Sequence, residues 1–423
     1  MTGNLPHLVD DLFRHRYGGM VAGLCRVLGP GKLDLVEDVV QEALLRALRV
    51  WPAEGVPENP EAWVFRVARN LALDGLRRQK VASRVEGELQ QWARHEAVSD
   101  AEEHEGLRDD TLRMLFLCSH PAVPADARVP LILKTVCGFG VPAIAAALLQ
   151  KEATIAQRLV RAKAKLQGGE VALEVPAAHE LGSRLALVLQ VIYLLFNEGH
   201  RAHRGEDLVQ KELVDEAVRL AALLLELPAT ATPTVHALLA LMLLLGARLP
   251  ARVDATGEIL TLAQQDRRLW HRGWLAAGFR EFEASIAGNE LTPYHCEAAI
   301  AAAHACAKDY ASTDWPRILA EYDRLVELSD TPIVRLNRAV AVAKVAGPAA
   351  GLAALQPLHA DRALAEYFLL PATAAQLHWE CGDRQRAARC LEQALAMPCA
   401  EPERRLLQRR LAACRAGEPP PAW

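Results

Sequence analysis

The chain has 423 residues, too many for one hydrophobic core, so two or three domains are expected. With 48 Lys and Arg against 52 Asp and Glu its net charge is −4, which argues against a protein that coats nucleic acid through bulk positive charge; any phosphate contact must come from local clusters. Aromatic residues make up 5% of the chain and β-branched runs are few, so an almost wholly helical protein without substantial sheet is predicted.

Three helices are predicted first, over residues 6–28, 34–51 and 60–79. Gly29-Pro30-Gly31 breaks the chain between the first two, and Pro52, Pro57 and Pro60 punctuate the loop before the third. Asn59 is placed to cap the third helix, with Pro60 at its first position. In the second helix Leu35, Val39, Leu45 and Leu48 are expected to face a core, leaving Glu37, Asp38, Gln41 and Glu42 outward. That acidic face is unsuited to DNA; it suits a basic protein partner, or is simply a solvated helix surface. The third helix should bury Val64, Val67, Leu71 and Leu76. It carries Arg66, Arg69, Asn70, Arg77, Arg78 and Lys80, residue types that bind phosphates and base edges. Trp63 and Phe65 can stack on unpaired bases or anchor the core.

Residues 86–105 are polar and acidic, with Glu96, Asp100, Glu102, Glu103 and Glu105, which is linker chemistry. A second compact unit follows from Leu107 to Leu166, closed by Gly168-Gly169. Within it, Val141 to Leu166 reads as a short apolar helix, a tight break and a basic helix, the arrangement of a helix-turn-helix. Ile144, Ala145 and Leu148 share one face of the first helix, and Ile155 and Leu159 one face of the second. Arg158, Arg161, Lys163 and Lys165 make the second helix cationic, and Glu152 suits its N-terminal dipole. An ordinary surface helix rich in Lys and Arg remains the alternative on this segment alone.

From Glu170 onward the chain is a series of short Ala/Leu-rich helices, with a further joint at Pro176. Its second half repeats with a period of about 34 residues. One helix of each pair is expected near Ala298, Pro332 and Glu366, its partner near Trp315, Ala349 and Asp383, with Asp314, Gly347-Pro348 and Gly382 in the intervening turns. ERRLLQRRLAACR, after Pro402, reads as a polar capping helix.

Nine cysteines without a C-x-x-C pair fit reduced thiols of a cytoplasmic protein, most of them small core residues. The apolar stretches Ala186 to Phe196 and Val235 to Leu245 fall short of the roughly 20 residues of a membrane span, and the N-terminus has no apolar signal region, so no membrane association is expected. Glu198, His200 and His203, like His295, Cys296, His304 and Cys306, match no zinc spacing, so neither metal nor cofactor is expected. No clustered nucleophile, acid and base pair or P-loop appears, which argues against an enzyme.

The order EDVVQEALLRAL, AWVFRVARNLALDGLRR, an acidic linker and a helix-turn-helix ending in QRLVRAKAKL resembles an extracytoplasmic-function sigma factor of the sigma-70 family over about residues 5–168. VIYLLFNEGH (191–200), QQDRRLW (264–270) and LNRAVAVAKVAGPAAGL (336–352) resemble the subgroup with a tetratricopeptide-like extension. The resemblance implies an all-α protein with a sigma region 2 domain at 1–82, a linker at 83–106, a region 4 helix-turn-helix domain at 107–168 and a helical-repeat regulatory domain at 169–423.

It further implies that Asp38, Gln41, Glu42 and Leu45 dock on the clamp helices of the RNA polymerase β′ subunit, with the β flap a second contact on the core enzyme. Glu54 to Pro60 match the loop that receives a flipped base of the minus-ten element. Arg66 to Arg78, with Trp63, Arg69, Asn70 and Arg77, match the helix that recognises that element. Thr154, Gln157, Arg158 and Arg161 match the face entering the minus-thirty-five major groove, with Lys163 and Lys165 on phosphates.

Two positions depart from the family pattern: Leu149-Gln150-Lys151 occupies a turn that often holds Gly, and His200 stands where Tyr is usual. Asn197, Glu198 and Gly199 form a ligand or hinge motif, or a helix end with Gly199 at C′. Gln264, Asp266, Arg267 and Trp270 line a groove for a protein or peptide ligand, or bridge adjacent helices. The competing reading of the whole chain is a helical-repeat adaptor that binds DNA as a conventional activator.

Overall fold

Helix boundaries fall where local chemistry stops supporting the helix. The computed structural model describes residues 5–78, 110–148, 150–167, 178–200, 211–254 and 256–421. The acidic linker, Lys80, Pro176 and His203 lie outside these residues. The described chain is helical, with no β-strand beyond one isolated bridge between Val253 and Ile259, so the all-α expectation holds. It divides into two compact units, residues 1–194 and 195–423.

The first unit opens with α1 (Leu5–Leu28), a 3-10 turn at Pro30–Lys32, α2 (Leu33–Glu54) and α3 (Pro60–Arg78). α3 starts as its sequence requires: Asn59 Oδ1 accepts the Ala62 N–H at 3.0 Å, and Pro60 occupies a position whose N–H needs no partner. The buried stripe of α2 is Val36, Val40, Ala43, Leu44, Ala47 and Trp51. Val39 is buried as expected, but Leu45 and Leu48 are 51% and 38% exposed, a correction to the expected core face. The stripe runs through positions flanking them, so both leucines point out. α3 buries Val64, Ala68, Ala72 and Leu76, while Val67 and Leu71 are only half-buried, a second correction. Small residues at 68 and 72 let the neighbouring helix approach closely, which shifts the contact line by one residue.

Helix α4 (110–118), α5 (Ala125–Thr135), α6 (Val141–Ala147) and α7 (Glu152–Gln167) complete this unit up to the long α8 (Ala178–His200). Ile155, Leu159, Ala162 and Leu166 form the buried face of α7, which packs on α5 and α6. Two contacts join these helices to α1. Asp110, 1% exposed at its side chain, receives Arg26 and Arg113, each at 2.8 Å, and Gly18 lies against the backbone carbonyl of Val136.

The second unit contains α9 (Lys211–Leu225), α10 (Pro233–Gly246), α11 (Arg272–Ser285), α12 (Pro293–Cys306), α13 (Trp315–Leu328), α14 (Pro332–Ala346), α15 (Pro348–Leu355), α16 (Leu369–Glu380), α17 (Arg384–Leu395) and α18 (Glu401–Arg415). From α10 to α13 and from α14 to α18, each helix packs on its sequence neighbour, and α13 packs on α14. The helix starts Pro332 and Trp315 fall where the repeat predicts, and Pro348 falls one residue early. Pro293 and Leu369 do not match Ala298 and Glu366, because Thr292-Pro293 caps the chain early and a 3-10 turn at Arg362–Leu364 delays the later start. Asp314 and Asp383 cap α13 and α17 by accepting the Arg317 and Arg386 N–H groups. Gly347 and Gly382 turn the chain at φ 89° and 84°, which a side chain would oppose.

Apolar windows reach 18 residues over Glu180–Asn197 and 19 over Pro233–Ala251, longer than the sequence stretches suggested and long enough for a span. Half of the first and 67% of the second is buried within the protein, as in core helices, and α10 is buried on nearly every side.

A Cβ at Gly18 would overlap the Val136 carbonyl oxygen, whereas one at Gly182 meets nothing within 4 Å. Gly18→Ala is therefore expected to destabilise the first unit by about 2 kcal/mol through overpacking. Gly182→Ala should stabilise it by about 0.5–1 kcal/mol through helix propensity. Urea denaturation of both variants checks the opposite signs.

Candidate nucleic-acid interface

α2 serves two surfaces at once. Asp34, Asp38, Gln41 and Leu45 recur at i, i+4, i+7 and i+11 and share its outer face, with Glu42 beside them. Asp38 and Gln41 are exposed, and Leu45 adds an apolar patch. Glu42 accepts from Arg46 at 3.3 Å and Arg49 at 3.0 Å, which moderates the acidity of the C-terminal end of this face.

Glu37 is not part of that surface. It is 4% exposed, a correction to its expected outward orientation, because α7 lies over it. Lys163 Nζ donates to Glu37 Oε2 at 2.6 Å and to Asp34 Oδ1 at 2.7 Å, and Gln167 Nε2 donates to Asp34 Oδ2 at 3.2 Å. Glu37 Oε1 is left without a hydrogen-bond partner. Burial is the largest influence on Lys163 and favours its neutral form, but Glu37 and Asp34 together outweigh it and raise its pKa above the ordinary lysine value. The field of Glu37 extends into the core. Burial first, and Glu37 in addition, push the Cys25 thiol up and Cys118 to about 12, so both stay protonated and inert.

On α3, Arg66 and Asn70 are exposed and Arg69 is half-buried; the side chains of Arg77 and Arg78 lie outside the described set. Trp63 packs edge-on against Trp51 with ring centroids 5.3 Å apart, which fixes its ring between α2 and α3. The loop from Glu54 to Pro60 exposes Val56 at 47%.

The turn between α6 and α7 closes without glycine. Gln150 N–H donates to the Ala145 carbonyl at 2.8 Å, and the Thr154 and Ile155 N–H groups donate to Lys151. α7 then splits its cations between two flanks of the buried stripe. Thr154, Arg158, Arg161 and Lys165 fall on one flank and Lys163 on the other, as 3.6 residues per turn requires. Gln157 is exposed beside the first group. Arg158 Nε and Arg161 Nη2 meet Asp126 at 3.0 and 2.9 Å, and Arg158 Nη1 donates to Gln150 at 2.6 Å. Asp34 and Asp126, the two carboxylates that hold α7's cations beside Glu37, were not singled out in the sequence. Nothing in a separation of 129 residues announces the Asp34–Lys163 pair.

In the second unit, α8 continues through Gly199 to His200, so a helix end at Gly199 is corrected; the Phe196 and His200 rings stack at 5.4 Å. Asn197 is half-buried, and the Glu198 side chain is outside the described set. Gln264 and Asp266 hold local turns: Gln264 Oε1 accepts from the backbone and hydroxyl of Thr261, and Asp266 pairs with Arg268 at 2.7 Å. Arg267 instead binds the carbonyls of His304 and Ala307 at the C-terminal end of α12 and lies 4.5 Å over Trp270. No group of three His, Cys, Asp or Glu side chains that could hold a metal is present among the described residues.

Comparison with known proteins gives two domain matches. Residues 13–81 match sigma-70 region 2, and residues 184–286 match DUF6596, a family of unknown function. The chain is 40% identical over 375 residues to an uncharacterized protein of Rhizobium meliloti (strain 1021), covering 86% of each chain. No solved structure matches it significantly.

Removing the cation from a buried carboxylate costs more than the pair contributes while intact. Lys163→Met should destabilise the first unit by about 3 kcal/mol, and Glu37→Gln added to it should recover most of that loss. The contribution of Lys163 is present up to the ordinary lysine range and is lost as pH rises through its raised pKa. Denaturant titrations of the single and double variants, repeated at rising alkaline pH, check each statement.

Proposed function

We propose, from the premise that this chain belongs to one family with the Rhizobium meliloti protein and carries a sigma-70 region 2 domain, that it is an extracytoplasmic-function-type sigma factor with a C-terminal regulatory array. The region 2 match supports a sigma-70-family factor acting in transcription initiation through core RNA polymerase and promoter DNA. The observation that carries the reading is the outer face of α2, where exposed Leu45 stands beside Asp38 and Gln41 inside the matched domain. A half-apolar, half-acidic helix face fits a basic helical partner and repels DNA, which suits polymerase docking.

In this reading Asp38, Gln41, Glu42 and Leu45 bind the β′ clamp helices. Trp63, Arg66, Arg69, Asn70, Arg77 and Arg78 contact the minus-ten element, a base of which enters the loop at Glu54 to Pro60. Thr154, Gln157, Arg158 and Arg161 read the minus-thirty-five groove while Lys163 and Lys165 bind phosphate, and the turn before α7 presents its N-terminal half to DNA. Lys163 is held by Asp34 and Glu37, and Asp34 lies on the docking face itself. Promoter engagement by Lys163 therefore requires α7 to leave α2, and polymerase docking along the same face favours that release. Residues 169–423 act as a tetratricopeptide-like array that regulates the factor in the cytoplasm through a protein or peptide ligand, with Asn197, Glu198, Gly199, Gln264, Asp266, Arg267 and Trp270 as its motif. The factor catalyses no bond chemistry; the polymerase makes RNA.

Mixed with sigma-free core polymerase and a linear promoter library, the full chain should yield specific transcripts. Asp38→Arg with Gln41→Ala should weaken core binding by roughly tenfold or more and leave the circular dichroism unchanged. Binding to housekeeping holoenzyme alone, without transcripts from core enzyme, would establish the adaptor reading instead. A chain ending after His200 retains α8 whole and tests regulation: its transcription should respond differently to cell extract from that of the full chain, and identical behaviour under every condition overturns a regulatory role.

A further inference from the structure

The second unit gathers positive charge where a folded protein ordinarily avoids it. Arg248 follows α10, and Arg252 ends the adjoining 3-10 turn at Leu249–Ala251. Arg267 opens the next 3-10 turn, and Arg248 and Arg267 flank Trp270, which is 4% exposed. The Arg248 and Arg267 guanidinium carbons sit 5.6 and 4.5 Å from its ring centre. Burial, and then the like charges of Arg252 and Arg267, bring Arg248 down to about 10. Burial, Arg248 and Arg267 hold His304 near 4, so it is neutral at physiological pH.

Buried polar atoms in this cluster lack partners. Arg267 Nη1 is anchored by two backbone carbonyls, yet Nη2 has no hydrogen-bond acceptor; neither do Trp270 Nε1 and the Tyr310 hydroxyl, and His304 Nδ1 is unpartnered as well. Several unsatisfied buried groups at one place are costly in a native fold. Arg248 Nε donates to the amide oxygen of Gln265 at 3.4 Å, which is neutral. His304 and Tyr310 both pack edge-on against Trp315, at 5.4 and 5.9 Å, so aromatic rings wall the cluster and hold its donors in place.

Converging cations, idle N–H donors and rigid aromatic walls are the chemistry of a site for a negatively charged small molecule. We propose that Arg248, Arg267, Trp270, His304 and Tyr310 form a binding site for a small ligand bearing a carboxylate or phosphate oxyanion, with Arg267 Nη2 and Trp270 Nε1 as its donors and the arginines as its counter-charge. The site goes beyond a peptide-binding groove: it gives the array a small-molecule input. It needs neither polymerase nor DNA, so its failure and the failure of the sigma-factor reading are separable.

The test is thermal unfolding of the full chain in sodium phosphate and in sodium acetate, against sodium chloride at matched ionic strength, with tryptophan fluorescence followed in parallel. A saturable rise in Tm of a few degrees with at least one oxyanion is expected, as a ligand bound only by the folded state produces. Arg267→Gln should abolish that rise. Arg248→Met should abolish it too and raise the Tm of the unliganded protein, because it relieves like-charge repulsion; this second variant keeps the test valid if the first folds poorly. The proposal is overturned if neither oxyanion gives a saturable shift, or if both variants keep the wild-type shift.

Discussion

The first unit depends on one buried carboxylate. Glu37 lies under α7 and is covered on nearly all sides, a position that an ionised side chain occupies only when a cation goes with it. Lys163 is that cation, reaching it from 126 residues away and taking Asp34 as a second partner. The pair settles where α7 can lie. It draws the C-terminal half of that helix onto the start of α2, and Gln167 and the close approach of Gly31 to its backbone continue the contact. The buried leucines of α7 stay with α5 and α6, so the helix is held from two directions.

This arrangement gives α2 a divided role. Its inner stripe packs against α1 and α3, its N-terminal acids hold α7, and the remaining outer face with Asp38, Gln41 and Leu45 is left to solvent. A solvent-facing leucine beside Asp38 and Gln41 gains nothing from folding. Asp34, which is bound by Lys163, and the exposed Asp38, Gln41 and Leu45 lie along the same face, so α7 rests at one end of it. α7 itself is divided in the same way, with Lys163 on one flank and Arg158, Arg161 and Lys165 on the other. Asp126 restrains Arg158 and Arg161 only through partly exposed ion pairs, which are weak and salt-sensitive compared with the Glu37 contact.

The second unit reverses the balance of charge. Where the first buries an acid beneath a lysine, the second crowds arginines around a tryptophan and leaves donors without acceptors. The array around it is conventional by comparison: Asp and Thr caps, prolines in first turns, glycine turns between helices, and Glu258 pairing with Arg405 and Arg409 of α18 to tie a loop to the terminal helix. Local rules account for those elements. They do not account for the arginine cluster, which forms only when packing brings Arg248, Arg267 and His304 together around Trp270.

Local chemistry determined the helices themselves. Asn59-Pro60, Asp314, Gly347 and Gly382 start or stop the chain through backbone preferences that act within a few residues, so these boundaries were legible from the sequence, as were the apolar stripe of α7 and the all-helical class. Periodicity assigned faces less well. It put Leu45 and Leu48 inside and Glu37 outside, because a 3.6-residue pattern gives the width of an apolar stripe but not its phase when apolar residues occur on both sides of a helix. The repeat spacing failed at Ala298 and Glu366 because a cap and a 3-10 turn shift helix starts without changing composition. Only the tertiary structure decided which acid Lys163 would meet, which carbonyls Arg267 would hold, and that Arg248, Arg267 and His304 would converge on Trp270. Those contacts join residues tens to more than a hundred positions apart; their energies arise when packing removes water and brings charges together, a condition that no local pattern encodes.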